Sequence, residues 1–97
     1  MMKAKNLFSD KRVFPDGAIV EMKVWLVPPS PRKPEGYKYS LVYIDAHGNR
    51  VLGYDNAEGK GHHRHDRGRE TADSFTSIGD LRKRFEEEVE RIRRTLS

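Results

Sequence analysis

The chain contains no cysteine and no long apolar stretch. The absence of cysteine excludes disulfides and thiolate zinc sites, and it fits the reducing cytoplasm, where we expect this protein to act. No apolar run approaches the roughly 20 residues of a membrane-spanning helix, and the opening MMKAKNLF lacks the apolar segment of a signal peptide. We therefore expect a soluble protein with no membrane partner.

The chain is also short and poor in hydrophobic residues. Its 97 residues are enough for one domain spanning 1–97, since domains typically hold roughly 100–150 residues. Hydrophobic and charged residues each make up 35% of the chain, so the core must be small. One sheet covered by one helix can supply such a core, and the low apolar content is also compatible with a homodimer.

Cations outnumber acids, and their distribution is uneven. The formal net charge is +4, and the stretch GKGHHRHDRGR at 59–69 sets Lys60, three arginines and three histidines against the single acid Asp66. A local excess of cations in a basic chain favours a polyanionic partner, and RNA is the partner that we expect.

Four stretches before residue 55 have the pattern of strands. Apolar residues alternate over 18–27, and 3–14 is a looser strand that pairs with it across a Pro-Asp-Gly turn. Four prolines between 28 and 36 mark an exposed connection, because proline cannot donate to a central ladder. The next two strands are predicted at 37–44 and 50–54, with tyrosines on one face of the first. We expect those tyrosines in the core, and base stacking is the alternative.

The C-terminal segment has the pattern of an amphipathic helix over 77–96. Ser77 and Asp80 form a suitable capping pair at its start. Its apolar residues recur at steps of three and four, and they are Ile78, Leu81, Phe85, Val89, Ile92 and Leu96. The sequence thus predicts an α+β fold, a four-stranded antiparallel meander covered by one C-terminal helix, with a long basic loop over 55–76.

That loop holds the candidate chemistry. Most connections in small domains are far shorter, with a median of about 4–6 residues, so a long loop is either functional or disordered. If the run is extended, His63 and His65 point to one face and Arg64 to the other. Cleavage of a phosphodiester needs a base, an acid and a cation, and histidine and arginine supply these near neutral pH.

We therefore expect His63 and His65 to be the general acid and base of the site, with Arg64 as the catalytic cation. The residues expected to bind substrate or support the site, with Lys60 and Arg64 holding the scissile phosphate, are Lys60, Arg67, Arg69, Gly59, Gly61, Tyr54, Asp55 and Glu70. No metal or cofactor is expected.

Plainer interpretations stay open for the same residues. The histidine run is also what a solvated polar loop would contain. Two histidines two apart also suit metal ligation, with a third ligand from Asp55, Glu58, Asp66 or His62. Trp25 lies on the less apolar face of its strand, and it is open whether it packs under the helix, at a partner surface, or both.

Four stretches together resemble a known family. They are DGAIVEMKVWLVP, GYKYSLVYID, VLGYDNAEGKGHHRH and the short C-terminal helix. In this order and spacing they resemble the TumE family of small toxins from prokaryotic toxin–antitoxin pairs. The resemblance implies a partner antitoxin of the helix-turn-helix type, encoded beside the toxin, that binds and silences it.

The residues and the resemblance predict a type II toxin that acts on RNA, possessing metal-independent endoribonuclease activity. The alternatives are a non-catalytic module that binds nucleic acid or protein, and a structural partner protein in which the loop and Trp25 only dock the antitoxin.

Overall fold

The fold is known from a computed structural model that describes residues 4–31, 34–56 and 61–96, without the side chain of Leu96. It is an α+β fold in which six antiparallel strands form one meander, each pairing with the next along the chain, before a C-terminal helix. The strands are β1 (Lys5–Val13), β2 (Ile19–Leu26), β3 (Tyr37–Ile44), β4 (Arg50–Asp55), β5 (His63–Asp66) and β6 (Arg69–Ala72). The helix is α1 (Ile78–Leu96).

The four predicted strands are present, but the prediction of a long loop after them was wrong. Over 63–72 the expected loop is a β-hairpin, in which β5 pairs with β4 and β6 pairs with β5. Arg67 and Gly68 make its two-residue turn with φ of 49° and 86°. Two consecutive positive φ values match the twist of antiparallel strands, and glycine adopts them at little cost. The backbone N–H of Arg67 also donates to the carbonyl of Val51 at 3.0 Å, which ties the turn to β4.

The core lies on one face of the sheet, beneath α1. Leu81, Phe85 and Val89 of the helix are buried, as the three- and four-residue spacing predicts. They share one cluster with side chains from β2, β3 and β4, namely Val20, Met22, Val24, Tyr39, Leu41, Tyr43, Val51, Leu52 and Tyr54. Tyr39 and Tyr43 are therefore core residues, in agreement with the sequence.

The predicted helix start is confirmed. The backbone N–H of Asp80 donates to Ser77 Oγ at 3.0 Å, which satisfies one of the free amides of the first turn. Arg84 pairs with Asp80 one turn earlier, at 3.1 Å between Nε and Oδ2. Within the part of the chain that the structure describes, no helix is long and apolar enough to cross a membrane.

The opposite face of the sheet, which we call the open face, carries the alternate residues of each strand. In β2 these are Ile19, Glu21, Lys23 and Trp25, which are partly or fully exposed while their neighbours are buried. Trp25 consequently lies on the face away from α1, so of the interpretations left open for it the structure excludes packing under the helix. The same alternation places His63 and His65 on the open face, because they pair with Asp55 and Gly53 of β4.

Candidate functional site

The two histidines of β5 lie side by side on the open face. Their ring centroids are 6.3 Å apart with the planes inclined by 26°. Only 12% of the His63 side chain and 16% of the His65 side chain are exposed. This arrangement follows from the extended backbone of β5, in which residues two apart project from the same face.

Each imidazole has a carboxylate partner on a neighbouring strand. His65 Nε2 lies 2.9 Å from Asp55 Oδ2, and His63 Nδ1 lies 3.1 Å from Glu70 Oε2. Glu70 Oε2 is also 3.8 Å from His65 Nε2, so this carboxylate lies between the two rings. Carboxylates in this position orient an imidazole and offer a counter-charge when the ring is protonated. We call His63, His65, Asp55 and Glu70 the histidine–carboxylate cluster.

The second nitrogen of His63 has no partner among the described residues. His63 Nε2 is buried and makes no hydrogen bond to any of them, while Nδ1 contacts Glu70. Buried polar atoms are nearly always paired, so an unpaired one calls for an explanation such as a chemical role. A neutral ring that donates from Nδ1 to Glu70 keeps a lone pair on Nε2, which is the state required of a general base.

The residue of β4 that pairs with His65 is a glycine and has no side chain. Gly53 of β4 pairs with His65, and a Cβ built on Gly53 would lie 3.7 Å from both Cβ and Cδ2 of the histidine. Gly53 is itself buried, and the His65 side chain lies in contact with the place where a Cβ would be. Glycine inside a strand is otherwise unfavourable, and close approach of another group is one reason to keep it.

Arg64 lies on the other face of the sheet and is separated from the histidines. Its Nε donates to Glu88 Oε1 of α1 at 2.9 Å, and its Nη2 forms a second, shorter bond to Glu88 Oε2. The hydroxyl of Tyr54 donates to the same carboxylate. Arg64 and Tyr54 thus link the sheet to the helix, in a polar cavity of about 400 Å³ that is lined by Tyr54, Arg64, Arg84, Glu87, Glu88 and Arg91.

Hydrogen bonding and burial shift the pKa values of all three groups. Bonding to Glu88 raises the pKa of Arg64 above its ordinary value, so this guanidinium stays charged. Burial, followed by the bond to Glu88, raises the pKa of Tyr54. Burial alone would raise the pKa of Glu88, but the bonds from Arg64 and Tyr54 outweigh it and the pKa is lowered. The charge of Arg64 is therefore already compensated within the protein.

The remaining predicted site residues are dispersed. Gly59 and Lys60, together with the potential metal ligand Glu58, lie outside the described residues. Arg67 sits in the hairpin turn and pairs with Asp66 at 2.9 Å. Arg69 and Gly61 are exposed, at the start of β6 and just before β5.

Two residues near the site, Asn56 and Phe75, were not assigned a role from the sequence. Asn56 is buried, accepts from the backbone N–H of Tyr39 at 2.9 Å and donates to the carbonyl of Tyr37 at 2.7 Å. Phe75 stacks on His62 with 4.9 Å between ring centroids, and Tyr39 stacks on the other two rings. His62 is thereby packed among aromatic rings, apart from the other histidines.

Among the described residues, no group of three or more histidine or acidic side chains is arranged to hold a metal ion.

Comparison with known proteins gives one result. No curated protein and no solved structure matches the chain. A family model described as Toxin TumE matches residues 3–93, nearly the whole length. The first three stretches that carry the resemblance and most of α1 lie within this range, as do β4, β5 and β6, which hold the histidine–carboxylate cluster. The chain belongs to the TumE family of toxins and is thus the toxin of a toxin–antitoxin system, with an antitoxin as its partner.

Proposed function

We propose that this toxin is a metal-independent endoribonuclease whose acid and base are His63 and His65. The observation that carries the proposal is the histidine–carboxylate cluster, in which each of two adjacent imidazoles contacts a carboxylate on the open face. Pairs of titratable groups held in different surroundings are typical of acid–base catalysis.

The proposed reaction is transesterification within RNA. The base removes the proton of a 2′-hydroxyl, whose oxygen forms a bond to the adjacent phosphorus. The bond from phosphorus to the 5′-oxygen breaks, and the acid protonates that oxygen. The products are a 2′,3′-cyclic phosphate and a free 5′-hydroxyl, and DNA is not cleaved because it lacks the nucleophile.

The contacts of the two rings suggest their roles. His63 is assigned the base, because Glu70 holds Nδ1 and Nε2 is left without a partner. Since Nε2 is buried, the ring or its covering atoms must move when RNA binds. His65 is assigned the acid, because Asp55 and Glu70 both lie near Nε2 and offer counter-charges to a protonated ring.

The role proposed for Arg64 differs from the one expected from the sequence, whereas Lys60 keeps its expected role. Arg64 acts as a positioning residue that fixes β5 to α1 through Glu88, since it projects away from the histidines. The cation for the scissile phosphate is assigned to Lys60, with Gly59 and Gly61 allowing close approach of the backbone, and Arg67 and Arg69 steer the strand. Tyr54 supports the site through the same contact with Glu88.

The test is incubation of the purified toxin with labelled RNA and DNA of one sequence, with and without chelator. The variants are His63→Ala/His65→Ala and, as a matched control, His47→Ala, which removes an exposed imidazole from the β3–β4 turn. We expect chelator-resistant cleavage of RNA only, lost in the double variant and kept in the control. Circular dichroism verifies that the double variant is folded.

Other outcomes separate the alternatives. Cleavage that chelator abolishes would replace the metal-independent mechanism by a metal-dependent one. Cleavage retained by a folded double variant would remove the histidines from the chemistry.

A non-catalytic toxin is the second candidate, and the ion pairing of Arg64 and both histidines favours it. Such a module would bind RNA or a protein target until a helix-turn-helix antitoxin covers it, as a monomer or homodimer. RNA binding that survives loss of both histidines, without any cleavage by the unaltered toxin, would establish this second function.

A further inference from the structure

The open face carries an aromatic residue that the proposed chemistry does not use. Trp25 is half-buried there, next to Lys38 on the neighbouring strand. The Lys38 ammonium lies 5.7 Å from the centroid of the indole ring. An indole with a cation beside it, on the helix-free face of an antiparallel sheet, has the chemistry that single-stranded nucleic acid uses for base stacking and phosphate contact.

The pairing of the strands connects Trp25 to the histidine–carboxylate cluster. Lys23, Ser40, Asp55 and His63 face each other in register across β2, β3, β4 and β5. Trp25 lies two residues beyond Lys23, on the same face. Three strand spacings of about 4.8 Å and an offset of about 6.8 Å along the strand place Trp25 roughly 16 Å from His63. A few nucleotides of extended single-stranded RNA cover that distance.

The residues along this path favour a nucleic acid over a protein. Between Trp25 and the cluster lie the exposed Lys23, the partly buried Ser40 and the exposed Lys38. Lysines are depleted at the centre of protein–protein interfaces, whereas they neutralise phosphates in nucleic-acid sites. The path also continues directly into the cluster, where the scissile phosphate is placed.

We propose that Trp25 and Lys38 form a base-stacking platform for the RNA strand whose scissile phosphate lies at His63 and His65. This inference rests on the proposed function. A base a few nucleotides from the cleaved bond stacks on the indole, and Lys38 moves from the ring to a neighbouring phosphate. Base stacking is the stronger contact, so the exchange favours binding.

The experiment uses the fact that Trp25 is the only tryptophan of the chain. Its fluorescence therefore reports on this position alone. The His63→Ala/His65→Ala variant is titrated with a single-stranded RNA oligonucleotide, so that the probe stays intact. We expect saturable quenching of the tryptophan emission as a base stacks on the indole.

Affinity is then measured with fluorescently labelled RNA for variants in the same double-alanine background. We expect about a tenfold loss for Trp25→Ala, a smaller loss for Trp25→Phe, and a loss for Lys38→Gln. Lys83→Gln is the control, since it removes the same charge from an exposed position of α1. In the cleavage-competent toxin, Trp25→Ala should raise KM and leave kcat unchanged.

The possible results distinguish this inference from the proposed function. RNA cleavage without quenching, and with equal affinity for Trp25→Ala, would overturn the platform while the nuclease stands. Quenching by RNA without cleavage would support the platform while the nuclease fails. A response to the antitoxin but not to RNA would identify the face as a protein-docking surface and overturn the inference.

Discussion

At the scale of single residues, the cluster depends on groups that take no part in chemistry. Asn56 is 3% exposed and lies directly after β4. Its side-chain amide forms hydrogen bonds with backbone groups of β3. It follows Asp55 directly, so it fixes the backbone that presents the partner of His65. The Gly-Tyr-Asp-Asn run therefore combines a glycine packed against a histidine, a link to the helix, a carboxylate and a structural amide.

Asn56→Ala is expected to lower the free energy of unfolding by about 1–3 kcal/mol, because it leaves a buried N–H and a partly buried carbonyl without their partner. Urea unfolding followed by circular dichroism measures this as a lower midpoint with an unchanged slope. Asn49→Ala is the control, since its hydrogen bond to Asp45 is exposed to water, and it should change stability by less than about 0.5 kcal/mol. Equal midpoints for the two variants would show that Asn56 is not a structural residue.

The sequence predicts the side-chain directions of β5 but not their partners. Alternation alone separates Arg64 from His63 and His65, and the structure has them on opposite faces. Glu88, the partner of Arg64, lies 24 residues further along the chain. Only the packing of α1 on the sheet brings these two residues together, and a single sequence carries no pattern for such a contact.

At the scale of elements, the first four strands and the helix could be predicted because apolar residues mark their buried faces. The β5–β6 hairpin could not, since its eight strand residues are HRHD and RETA, which include one small apolar residue and no aliphatic alternation. These strands form because β4 offers an unpaired edge, and pairing overrides weak local preference. The available signal was Arg67-Gly68, two residues between two short alternating runs.

The contact of Glu88 with Arg64 and Tyr54 is one of the polar links between α1 and the sheet, and it predicts a pH dependence of stability. The pKa of Glu88 is lowered below its ordinary 4.5 in the folded protein. The unfolded chain therefore binds the proton more readily, and the stabilisation from this carboxylate is fully present above pH 4.5 and is lost as the pH falls through the lowered pKa.

Glu88→Gln tests this link. We expect the variant to be about 1–3 kcal/mol less stable at pH 7, since Glu88 is largely buried and Arg64 loses its counter-charge. The difference from the unaltered toxin should shrink when the pH is lowered below the ordinary pKa of Glu88, in urea unfolding at a series of pH values. A stability difference between the two proteins that stays constant down to the lowest pH of the series would contradict the lowered pKa of Glu88.

At the scale of the whole molecule, the two faces of the sheet have separate tasks. One face is closed by α1 and holds the core and the compensated charge of Arg64. The other carries the histidine–carboxylate cluster, Trp25 and three lysines, Lys11, Lys23 and Lys38. The helix also carries six cationic residues, so the net charge of +4 does not by itself indicate which face of the sheet binds RNA.

The salt dependence of RNA binding decides between the faces. Each phosphate that a single strand exchanges for a cation contributes about 0.7 to the slope of log affinity against log salt. If RNA crosses the open face, Lys23→Gln/Lys38→Gln should lower the magnitude of that slope by about 1.4. Lys83→Gln/Arg91→Gln removes two exposed cations from α1 and should leave the slope unchanged, with both measured by anisotropy of labelled RNA. The reverse result would place the RNA on the helix, away from the two histidines, and would contradict the nuclease proposal together with the platform.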